Sequence, residues 1–80
     1  MKILSDSQRR YIDLYGWNIS SMRNKWYLRF YVEIGQEQVS IASYDLEDET
    51  LRLKYKLPCC VIEMIYARID RLNGFERERI

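Results

Sequence analysis

The 80-residue chain contains no histidine. Histidine is the usual general base near neutral pH and the commonest metal ligand in proteins. Its absence excludes the Ser-His-Asp and Cys-His arrangements of nucleophilic catalysis. The three glycines are scattered along the chain, so the sequence also has no glycine-rich phosphate-binding loop. We therefore expect a protein that is not an enzyme and that holds no cofactor.

Cysteine is scarce, and the two cysteines, Cys59 and Cys60, are adjacent. Neighbouring residues rarely reach disulfide geometry without strain. The sequence has no C-x-x-C pair, which excludes zinc-ribbon and thioredoxin-like sites. We expect both thiols to be reduced, buried and without a chemical role.

Long apolar runs and an excess of one charge are also missing. No segment approaches the length of a transmembrane helix, and residues 1–6 lack the apolar region of a signal peptide. Thirteen Lys and Arg residues face twelve Asp and Glu residues, so net charge does not indicate nucleic-acid binding. We expect a cytoplasmic protein without a membrane partner, folded as a single small domain over residues 1–80.

The clearest pattern in the chain is a perfect alternation over residues 25–34. Side chains along a strand point alternately to opposite sides, so this segment predicts a strand with one buried side. The predicted inward residues are Trp26, Leu28, Phe30, Val32 and Ile34. The opposite side carries Tyr27, Arg29 and Tyr31, which are residue types that dominate binding hot spots.

Two further strands are expected to flank this one. One strand, over residues 17–21, comes first and is joined to strand 25–34 by a turn at residues 21–24. The other, over residues 38–44, follows strand 25–34 after a turn at Gly35-Gln36. In the later strand, Val39, Ile41 and Ser43 are predicted to face inward. The residues predicted to face outward are Gln38, Ser40, Ala42 and Tyr44. Turns this short require antiparallel neighbours.

Helices are expected at both ends of the chain. Ser5 or Asp6 would cap a helix over residues 5–15, and Gly16 would end it. Pro58 suits the first turn of a second helix over residues 59–73, with Asn73-Gly74 as the stop signal. The apolar residues of this second helix recur at helical spacing and are Ile62, Ile65, Ile69 and Leu72.

Residues 45–57 allow two interpretations. In one they form a helix capped by Asp45. In the other, residues 45–49 form an acidic turn and residues 50–57 a strand, which the alternation of Leu51, Leu53, Tyr55 and Leu57 with basic residues favours. The turn is rich in acids, but its spacing does not match an EF-hand loop, so we expect no metal site there.

These elements predict an α+β fold. A three- or four-stranded antiparallel meander would be covered on one face by a short N-terminal helix and a longer C-terminal helix. The open face would then form a trough, with small polar residues of strand 38–44 between an aromatic and a basic side. The candidate binding residues are Tyr27, Arg29, Tyr31, Tyr44, Arg52, Lys54 and Lys56.

We expect this face to bind a protein partner, because Tyr and Arg bury large areas and make directed hydrogen bonds. The chain would then be an inhibitor or adapter that acts on a larger complex, for example a phage-type anti-defence or anti-CRISPR protein, although no motif indicates that form. The alternative is single-stranded nucleic acid, with bases on the tyrosines and phosphates on the basic side. A homodimer through this face or a sheet edge stays open.

Overall fold

The computed structural model describes the backbone of residues 2–78 and the side-chain surroundings of residues 2–71. A four-stranded antiparallel sheet of order β1-β2-β3-β4 confirms the predicted meander and α+β fold. The elements in chain order are α1 Asp6–Tyr15, β1 Ile19–Arg23, β2 Tyr27–Ile34, β3 Glu37–Asp45, β4 Thr50–Leu53 and α2 Cys59–Glu78. Within the described part of the chain, neither helix is long and apolar enough to cross a membrane.

Helix α1 begins and ends as the sequence predicts. The Ser5 hydroxyl accepts the N–H of Gln8 at 3.3 Å, and the Gln8 side chain accepts the N–H of Ser5 at 2.9 Å, which completes a capping box. Gly16 ends the helix with φ 83°, and its N–H donates to the carbonyl of Ile12 at 2.6 Å. Ile12 is the buried residue that ties the helix to the core.

Strand β2 supplies the centre of the core, because Phe30 and Val32 have no exposed surface and Leu28 has 2%. The prediction for Trp26 is wrong, since this side chain is 58% exposed. The cause is Asn24, whose Oδ1 accepts the N–H of Trp26 at 2.8 Å and of Tyr27 at 2.7 Å. This side-chain-stabilised turn holds Trp26 outside the ladder, so the strand begins at Tyr27.

A β-bulge in β3 corrects the predicted orientation of its second half. Phe30 pairs with Ala42, but the next residue, Tyr31, pairs with Ser40, so Ile41 is an extra residue in the ladder. The alternation therefore shifts by one position. Ala42 and Tyr44 point to the core, with Tyr44 only 7% exposed, although both were predicted to face outward. Ser43, predicted to face inward, lies on the opposite side, where it pairs with Arg29.

The segment after β3 adopts the turn-and-strand form. Asp45 Oδ1 accepts the backbone N–H of Glu47 at 2.9 Å and of Asp48 at 3.1 Å, and Glu49 has φ 56°. The strand is shorter than predicted, because ladder pairing ends at Leu53. Beyond it, the N–H of Lys56 donates to the carbonyl of Lys2, in an isolated parallel bridge between residue 2 and residue 55.

Helix α2 covers the same side of the sheet as α1, with Val61, Ile65 and Ile69 in the common core. The Pro58 carbonyl accepts the N–H groups of Val61 and Ile62, so Pro58 stands at the start of the helix as expected. The predicted stop at Asn73-Gly74 is wrong, since the helix continues to Glu78. An interior glycine costs only about 1 kcal/mol relative to alanine, which does not by itself end a helix. The predicted contact of Leu72 lies outside the described side chains.

The expected burial of the cysteines is also wrong. Cys59 and Cys60 carry free thiols and are both exposed. They occupy the first turn of α2, whereas the buried residues of this helix begin at Val61. The two thiols therefore lie outside the core.

Candidate binding surface on the sheet

Both helices pack on one side of the sheet and leave the other side, the outer face, uncovered by any described element. The core cluster contains Ile12 of α1, Val61 of α2 and Phe30 of β2, so all three elements meet on the inner side. Residues that alternate with the core residues of β2 must then point away from both helices. These outward residues of β2 are Tyr27, Arg29, Tyr31 and Glu33.

Strand pairing places two arginines in one row across the outer face. Arg29 lies opposite Met22 of β1 and Ser43 of β3, and Ser43 lies opposite Arg52 of β4. Since serine is small, it leaves open space between the two guanidinium groups. The result is a shallow depression of about 370 Å³, which we call the basic trough. Its lining residues are Tyr27, Arg29, Ser43, Asp45, Thr50, Arg52 and Lys54.

The arginines of the basic trough have no acceptor among the residues that the structure describes. No hydrogen bond or ion pair joins Arg29 or Arg52 to another described residue, whereas Lys54 Nζ donates to the Ser40 hydroxyl at 3.1 Å. A guanidinium group presents several N–H donors in a fixed plane that matches a carboxylate or phosphate. The trough therefore presents guanidinium donors that match an external anion.

The structure separates the other predicted site residues from the trough. Tyr31 is half-buried between Ser20 and Ser40, beyond the trough lining. Tyr44 was predicted to stand at the edge of this face, but the bulge turns it into the core. Lys56 was predicted on the basic side, but β4 ends before it, and it lines a different depression beside α1.

Sequence reasoning missed two exposed apolar residues next to the basic trough. Trp26 and Met22 are 58% and 62% exposed, and Lys25 Nζ lies 5.2 Å from the centre of the Trp26 ring. A second depression of about 390 Å³, next to the basic trough, shares Tyr27 and Asp45 with it. Asn24 did indicate a turn, but not that the turn extends to Trp26.

Acidic residues lie in the loop at the end of the trough. This acidic loop consists of Glu47, Asp48 and Glu49, which are all exposed. The structure shows no group of three or more Asp, Glu, Cys or His residues among the described residues that could hold a metal ion. The loop side chains also form no ion pair with a cation of the described chain.

Comparisons of this chain with protein-family models, with curated proteins and with solved structures find no match. Function must therefore be inferred from the outer face itself.

Proposed function

We propose that this chain is a non-catalytic protein-binding module, and that the basic trough is the centre of its contact surface. The observation that carries the proposal is the pair of arginines, Arg29 and Arg52, which flank Ser43 and have no acceptor in the described part of the chain. Beside them, Tyr27 is 39% exposed and supplies aromatic surface. Tyrosine and arginine are the residue types enriched at binding hot spots. An inhibitor or adapter acting on a larger complex, such as a phage-type anti-defence protein, is one form of this function.

The size of the outer face indicates the strength of binding. Four strands of four to nine residues, with a rise of about 3.3 Å per residue and a spacing of about 4.8 Å, present a surface on the order of 400 Å². Stable protein interfaces bury about 800 Å² on each partner. The sheet surface alone therefore supports a transient interface, and a tighter one requires the flanking turn at Trp26 and the acidic loop.

A pair of matched variants tests this function. Arg29→Ala with Arg52→Ala removes two cations from the trough, while Arg9→Ala with Arg10→Ala removes two from the exposed surface of α1. Each tagged protein is used to capture proteins from an extract of its source cells, and the captured proteins are quantified by mass spectrometry. We expect proteins retained by the wild type and by the α1 variant to be lost from the trough variant. Equal retention by all three proteins would contradict the proposed surface.

Single-stranded nucleic acid is a second candidate, because Arg52 and Lys54 of β4 lie in one depression with Tyr27. Bases would stack on the tyrosine and phosphates would bind the cations. The acidic loop next to the trough opposes this, since it repels phosphates. Fluorescence anisotropy with a labelled oligothymidine tests it. A plot of the logarithm of the association constant against the logarithm of the salt concentration should fall with a slope of about one per contacted phosphate. If no binding occurs at low salt, this candidate is excluded.

A further inference from the structure

The charges of the outer face are separated along the strand direction. The central row consists of Tyr27, Asp45 and Thr50, which pair across β2, β3 and β4. Cations lie on one side of this row, at Arg29, Arg52 and Lys54. The acidic loop lies on the other side, between Asp45 and Thr50 in the sequence, with one cation, Lys25, in the same depression as Glu47. One continuous surface therefore has a basic half and an acidic half.

Neither half is neutralised within one copy of the protein. Among the described residues, the acidic loop forms no ion pair, and the trough arginines have no acceptor. The strand geometry explains this, because the loop and Arg29 lie on opposite sides of the central row. Each half thus remains available to a partner that carries the opposite charge at the matching position.

We infer that this partner is a second copy of the chain, an inference that rests on the proposed protein-binding function. Two copies would dock outer face to outer face about a two-fold axis that runs across the strands along the central row. This operation places the acidic loop of each copy over Arg52 of the other. It satisfies the requirement of a two-fold interface that one patch be complementary to itself.

Aromatic and apolar surface lies at the centre and rim of this arrangement. Tyr27 stands on the axis and meets its own copy, and Met22, which pairs with Arg29 beside the trough, adds exposed apolar surface. Asp45 also lies on the axis, but its Oδ1 already accepts two backbone N–H groups, which disperse its negative charge.

The contact area sets the expected strength of the dimer. Tyr27, Asp45 and Thr50 are end residues of their strands, so the axis lies at the end of the sheet and each copy covers the trough of the other only with its acidic loop and its turn at Trp26. The area that each copy buries is therefore smaller than that of a standard interface. Association at this size is weak and depends on concentration. The charge pairs lie at an exposed rim, so the dimer also weakens as salt is raised.

Charge reversal with complementation tests the dimer by sedimentation equilibrium. Arg52→Glu with Lys54→Glu reverses the basic half, and Glu47→Lys with Asp48→Lys reverses the acidic half. Each variant alone should self-associate at least about tenfold more weakly than the wild type, because like charges then oppose each other. An equimolar mixture of the two should recover association, since both contacts become attractive again. Arg9→Glu with Arg10→Glu, on α1, is the control and should dimerise as the wild type does.

Three outcomes overturn the self-association: a wild type that stays monomeric up to millimolar concentration, variants that dimerise unchanged, or a mixture that does not recover association. These outcomes are distinguishable from failure of the proposed function. If the wild type is monomeric but captures a cellular protein that the Arg29 and Arg52 variant does not, only the dimer is refuted. If the wild type is monomeric and those replacements do not change which proteins are captured, both proposals are refuted.

Discussion

Arg29 and Phe30 are neighbours in β2 and have opposite tasks. Phe30 has no exposed surface and packs in the core, whereas Arg29 points to solvent and finds no acceptor within residues 2–71. Alternation along the strand separates the two, and it made both orientations readable from the sequence. Tyr44 was not readable in the same way, because a bulge at Ile41 changes the register and no residue type marks it.

We expect Ile41 to contribute to stability and Arg29 to contribute to binding. Ile41 is fully buried, so Ile41→Ala should lower the free energy of unfolding by about 2–5 kcal/mol through lost contacts and a cavity. Arg29→Ala should change that free energy by no more than about 0.5 kcal/mol, as is usual for exposed positions. Urea denaturation followed by circular dichroism measures both. A cost for Arg29→Ala equal to that of Ile41→Ala would mean that Arg29 serves the fold.

At the scale of elements, two turns shape the proposed binding surface. The Asn24 side chain holds the β1–β2 turn and thereby exposes Trp26. The Asp45 side chain likewise accepts a backbone N–H group of the acidic loop and holds that turn. The sequence predicted turns near both positions, since Asn and acidic clusters favour them. It did not predict which residue begins β2, because alternation continues through Lys25 and Trp26, although the strand begins only at Tyr27.

Replacing Asn24 tests the role of the first turn. Asn24→Ala removes the acceptor of two backbone N–H groups and should lower the free energy of unfolding by about 1–2 kcal/mol. Asn24→Asp keeps an oxygen at Oδ1 and should remain close to the wild type. Thermal and urea unfolding compare the two. If both variants match the wild type, the hydrogen bonds of Asn24 do not set this turn.

The α2 helix shows a different limit of sequence reading. Its buried stripe, from Val61 to Ile69, follows helical spacing and was predictable. Its end was not predictable, because a glycine such as Gly74 weakens a helix only locally, and whether the helix ends there depends on packing. Element identity was therefore more accessible than element boundaries.

At the scale of the whole molecule, the two helices leave one sheet face open, and the meander gathers charges from three strands there. Arg29 and Arg52 are 23 positions apart in the sequence and meet only because Ser43 of β3 lies between them. The trough could be predicted once residues 50–57 were taken as a strand. The separation of Lys56 could not, because it depends on where β4 ends and on the pairing of residue 55 with residue 2.

The most direct measurement of where this protein makes contact is a dilution series of ¹H–¹⁵N correlation spectra. Self-association through the outer face predicts shifts that change with concentration at the amides of Tyr27, Arg29, Ser43 and Arg52, and in the acidic loop. Amides of α1 and of residues 59–71 should stay unchanged, because both helices lie on the other side of the sheet. Shift changes centred on the helices, or on no contiguous surface, would contradict the assignment of the outer face as the binding surface.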